Sequence, residues 1–102
     1  MLFHNGENYE LRYNVNRVTM IEQAIKKPLV QVLQQGAMSL AEIKVCVAYG
    51  LVKEGSHSHI LPKKGAEIAD VLMNERGSYQ KLSDEIADAI ERDCGFFFPK
   101  DL

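Results

Sequence analysis

The chain has 102 residues, 46% of them apolar and 25% charged, which suits one globular domain with a single core and argues against a disordered chain. Twelve basic against fourteen acidic side chains leave a net charge of −2, so the strongly basic footprint of a nucleic-acid binder is lacking. The N-terminal MLFHNGENYE has neither a positive region nor a long hydrophobic segment, and every apolar run is short; no secretory signal and no membrane span are expected.

Residues 2–13, LFHNGENYELRY, predict a short β-hairpin, because Asn5-Gly6 readily takes the positive backbone angles of a type I′ turn. Tyr9, Leu11 and Tyr13 alternate with Glu10 and Arg12, which gives the second strand one covering face and one wet face. A two-stranded ribbon is weak alone, so it must lean on the helices or pair its edge with another chain. Asn14 and Asn16 both suit the N-cap of a first helix running to about Lys27. Val18, Ile21, Ile25, Leu29 and Val32 lie at helical spacing, but Pro28 breaks or kinks the run and opens a short helix over Leu29 to Gln35, stopped by Gly36.

Ser39 and Glu42 have capping-box spacing and start the next helix, predicted to reach about Lys53. Its centre, Val45-Cys46-Val47-Ala48, is apolar on nearly every side, which marks it as the central, most buried helix. GSHSHILPKK reads as the main surface loop. A helix follows from about Lys63 or Ala66 through Glu75, and Gly77-Ser78 separate it from a last helix that buries Leu82, Ile86 and Ile90 and ends at Gly95. The expected fold is α+β, mainly α: a short N-terminal β-hairpin at about 2–13, then a compact bundle of four to five helices over about 16–93, then an aromatic tail at 95–102, all in a single domain spanning 1–102.

Chemical constellations are sparse. His57 and His59 flank Ser58 near Glu54, but HxH supplies two ligands where a tetrahedral site needs three or four, so no metal and no cofactor are expected. Cys46 and Cys94 lie far apart in apolar settings and read as reduced core thiols, with a disulfide the less favoured alternative. Glu85, Asp88, Glu91 and Asp93 read as a solvated helix face, and no glycine-rich phosphate loop is present. The turn at Gly36 superficially suggests a helix-turn-helix, yet Lys44 is the only basic residue of the following helix before Lys53. The chain is therefore read as a contact protein and not as an enzyme. Phe96, Phe97 and Phe98 cannot all face one core; either they serve an interface or the tail docks on its own hairpin, and on the first reading Phe97→Ser leaves the fold cooperative while weakening partner binding.

The order of these signals resembles the small tail assembly chaperones of tailed phages and prophages. The resemblance is carried by the strand Tyr9-Glu10-Leu11-Arg12-Tyr13, the helix segment Val18-Thr19-Met20-Ile21-Glu22, the short helix Pro28-Leu29-Val30-Gln31-Val32-Leu33, the capped start Ser39-Leu40-Ala41-Glu42 and the closing Ala48-Tyr49-Gly50-Leu51. It covers residues 9–53 well and the remainder loosely; Lys26-Lys27-Pro28 stands where relatives have a glycine-containing turn, and Phe96 to Phe98 match no family motif. It implies a protein that binds and solubilises the tape-measure protein during tail assembly in the cytoplasm of the bacterial host, with the tail tube protein a second partner. Homo-oligomerisation is a further use of the hairpin edge, and neither nucleic acid nor membrane is expected as a partner. The partner-contacting residues expected are Phe96, Phe97 and Phe98 with Tyr9, Leu11 and Tyr13. A head–tail connector or minor virion protein, and a small helix-turn-helix DNA-binding regulator, are the alternatives.

Overall fold

The computed structural model describes residues 2–100. Strands β1 (Leu2–His4) and β2 (Glu7–Leu11) pair antiparallel, with Leu2 opposite Tyr9 and His4 opposite Glu7. Asn5 (φ 52°) and Gly6 (φ 77°) both have positive φ, as the predicted type I′ turn requires.

Asn14, not Asn16, caps α1 (Val15–Ile25), its side-chain oxygen accepting from the Arg17 amide at 2.8 Å. The helix stops two residues before the predicted end because Lys26 turns left-handed, with φ 63°. Pro28 then precedes α2 (Leu29–Gln34), whose open N-terminus is capped from the helix before: the Glu22 carboxylate accepts from the Leu29 amide at 2.7 Å. Gly36, at φ 86°, follows as the expected stop.

The predicted capping box opens α3 (Leu40–Gly50). Glu42 is nearly fully buried, and its carboxylate accepts from the Ser39 amide at 2.7 Å and from Gln35 at 2.9 Å while pairing with Lys27. Lys27, read in the sequence as part of a helix break, is thus the counter-ion that lets a buried acid remain charged.

One expected boundary is corrected. The helix predicted to reach Lys53 ends at Gly50, and Leu51–Lys53 form β3, antiparallel to β2, with Leu11 opposite Leu51 and Tyr9 opposite Lys53. The ribbon expected to have two strands is therefore a sheet of three in the order β1-β2-β3. The open backbone groups of β2 supply the reason, because Leu51 to Lys53 satisfy them from within the same chain.

The remaining helices are α4 (Pro62–Met73), with Pro62 in its first turn, and α5 (Ser78–Asp93). The class is α+β, mainly α, as expected. Helix α3 is central, packing on α4, α1 and α5, and Ile43, Cys46 and Val47 are fully buried. Gly65 of α4 lies so close to the Ala48 backbone of α3 that a Cβ there would stand 3.0 Å from the Ala48 Cα.

Candidate interaction surface

The C-terminal aromatics are positioned by what precedes them. Cys94 leaves helical geometry (φ −113°, ψ 56°) and is fully buried, although its amide still bonds to the Ile90 carbonyl at 2.8 Å. A single 3-10 turn over Gly95–Phe97 follows, held by bonds from the Phe97 amide to the Cys94 carbonyl at 3.0 Å and from the Phe98 amide to the Gly95 carbonyl at 3.1 Å. With the chain pinned inward at Cys94, Phe97 packs against the core, while Phe96 is 52% exposed and Phe98 47% exposed. The Phe96 and Phe97 rings touch at 4.9 Å between centroids, tilted by 47°, so the core-facing ring braces one of the outward ones. The middle ring packs on the core and its neighbours face water.

Tyr9, Leu11 and Tyr13, expected beside the aromatics as partner contacts, all lie buried in the core and present no accessible side-chain face. Tyr13 is the most tightly held. Its hydroxyl donates to the Cys46 carbonyl at 2.8 Å and its amide donates to Asp93 Oδ2 at 3.0 Å. Burial, with the nearby thiols and Asp93 adding to it, pushes the Tyr13 phenol well above its ordinary value, so it stays a neutral donor. Arg92 donates to the Leu11 carbonyl at 2.6 Å and to Asp93 Oδ2 at 2.8 Å. Burial raises the Asp93 carboxyl, but the bonds from Arg92 and the Tyr13 amide and the charges of Arg92 and Arg12 outweigh it and hold the group below its usual value. These contacts clamp the end of α5 to Leu11 and Tyr13, whose side chains are turned into the core.

Of the two loop histidines, His57 is exposed and His59 is tied to the sheet. His59 Nε2 lies 2.8 Å from the Arg12 carbonyl and His59 bridges to Val52, which fastens the β3–α4 loop to the sheet. No group of three or more metal-ligating side chains occurs among the described residues. Cys46 and Cys94 are free and buried; burial, then the neighbouring carboxylate, pushes Cys46 to about 12 and Cys94 to about 11, which keeps both as unreactive thiols. Helix α3, the would-be recognition helix, has six of its eleven residues buried and carries Lys44 as its one basic residue. No described helix is long and apolar enough to cross a membrane.

No protein-family model, curated protein or solved structure matches this chain. The site therefore rests on its own geometry: two rings held outward by a hydrogen-bonded turn. Sequence reasoning missed a groove between α2 and α5, because its walls are 40 or more residues apart in the chain; Tyr79 donating to the Met38 carbonyl at 2.7 Å shows how closely they meet.

Proposed function

We propose that this chain is a tail assembly chaperone of a tailed phage or prophage, which binds and solubilises the tape-measure protein in the bacterial cytoplasm by contact and not by catalysis. The observation that carries the reading is the outward pair Phe96 and Phe98 on an anchored turn. Rigid, exposed aromatics bury much area at small entropic cost, which suits reversible shielding of an apolar helical stripe. Of the expected contact residues, Tyr9, Leu11 and Tyr13 are buried, whereas Phe96 and Phe98 are exposed.

The test is co-expression with the tape-measure protein encoded nearest downstream, followed by size-exclusion chromatography with mass determination. A soluble complex with several copies of this chain, lost in the double variant Phe96→Ser, Phe98→Ser whose fold is intact, supports the reading. An insoluble tape-measure protein beside a freely eluting chain refutes it. One observation favours the connector alternative: among the described residues no strand pairs the outer edge of β1, where Phe3 is 61% exposed. Edge-to-edge pairing of copies would give a ring of fixed mass in the same chromatogram.

A further inference from the structure

The groove between α2 and α5 has a volume of about 310 Å³. Leu33 and Met38 line one side; Tyr79, Ser83, Asp84 and Ala87 of α5 line the other, and the Tyr79–Met38 bond closes one end. Its charge is one-sided. Helix α2, LVQVLQ, carries no charged residue. On the α5 side Asp84 is the one charged residue among those lining the groove. Asp84, Asp88 and Glu91 follow one another at steps of four and three, which sets them in a row along the helix, and all three are exposed. No cation pairs with any of them among the described residues; Asp84 accepts only from Gln80, at 2.8 Å. The hydroxyl oxygen of Ser83, in the same wall, is shielded from water and has no hydrogen-bond partner. Asp84 lines the groove and Asp88 and Glu91 continue the row beyond it, so an apolar trough with an unpaired carboxylate on its rim and an idle hydroxyl in its wall is complementary to a helix bearing cations next to its apolar stripe.

We propose that the α2–α5 groove docks an amphipathic helix that carries Lys or Arg beside its apolar stripe; resting on the reading of this chain as one that shields a helical partner, this assigns the chemistry of the segment shielded. The test uses the full chain and two labelled helical peptides of about 18 residues, some five turns, with the same leucine stripe flanked by Lys in one and by Glu in the other. Fluorescence anisotropy is expected to show the Lys peptide binding at least about tenfold tighter at low salt, the difference shrinking as salt rises. Ala87→Arg, an exposed position at which the longer side chain would fill the groove, is expected to abolish binding with the thermal melt unchanged, and Asp84→Lys to remove the charge preference. Equal binding of both peptides, Ala87→Arg binding as wild type, or self-association through the groove would overturn the proposal. If the tape-measure complex forms and survives Ala87→Arg with Asp84→Lys, the groove assignment fails while the chaperone reading stands. If the Lys peptide binds as described but no tape-measure complex forms, the chaperone reading fails and the groove stands.

Discussion

Replacing Gly65 by Ala sets two effects of opposite sign against each other inside one helix. An alanine in a helix interior is favoured over glycine by about 1 kcal/mol, so propensity alone predicts stabilisation. The structure predicts the reverse. The added Cβ would lie 3.0 Å from the Ala48 Cα and 3.1 Å from its carbonyl carbon, and nearer still to the carbonyl oxygen. These are backbone atoms in the buried last turn of α3, so no side chain can rotate away. Ordinary carbon contacts need about 3.5–4.0 Å, so α3 and α4 must part by roughly 0.5–1 Å, which forfeits a quarter to a half of each dispersion well between them. For about 40 atom pairs across the interface at about 0.15 kcal/mol each, losing a third costs about 2 kcal/mol. The net expectation is a loss of about 1 kcal/mol or more, or a Tm lower by roughly 4–8 °C for a chain of this size. Urea and thermal unfolding followed by circular dichroism, with Ala66→Gly as the propensity control on the same helix, measure it. A Gly65→Ala variant more stable than wild type would show that the helices do not approach as described.

Three further outcomes follow from the site. Phe97→Ser should cost about 1–2 kcal/mol because that ring packs on the core, whereas Phe96→Ser and Phe98→Ser should each stay within about 0.5 kcal/mol, which denaturant midpoints will separate. Burial raises the Glu42 carboxyl, but bonds from Lys27, the Ser39 amide and Gln35, with the Lys27 charge, hold it below its ordinary value. Its contribution is therefore complete above the ordinary carboxylate range and is lost as pH falls through the lowered folded value; Glu42→Gln should be less stable than wild type near neutrality and converge with it in acid. Iodoacetamide at about pH 8 should leave Cys46 and Cys94 unmodified in the folded chain and alkylate both in denaturant, as intact-mass measurement will report.

The local signals were readable because each depends on a few neighbouring residues: the Asn5-Gly6 turn, the Ser39/Glu42 box, the helix start after Pro28 and the stop at Gly36 all stand where their chemistry puts them. Strand β3 was hidden because Leu51 continues the apolar repeat of α3, and what turns it into a strand is the hydrogen-bonding edge of β2, some 40 residues earlier. The alternation of Tyr9, Leu11 and Tyr13 announced a covering face, but the clamp from Arg92 and Asp93 that commits it to the interior is a contact across 80 residues. In the same way, three consecutive phenylalanines say nothing about which one turns inward; the burial of Cys94 decides it.

The passage from α3 to β3 takes no connecting residue: Gly50 closes the helix and Leu51 opens the strand. The Gly50 carbonyl accepts from the Arg12 amide at 2.8 Å, and the Tyr13 ring lies against Gly50 so closely that a Cβ there would stand 2.6 Å from it. The sheet and the central helix are consequently one mechanical piece without a hinge between them. Amide protons of β2 and β3 should exchange with solvent only when the whole core opens, at the same free energy as those of α3, and a force applied to the N-terminal hairpin would be resisted by the central helix and not by the sheet alone.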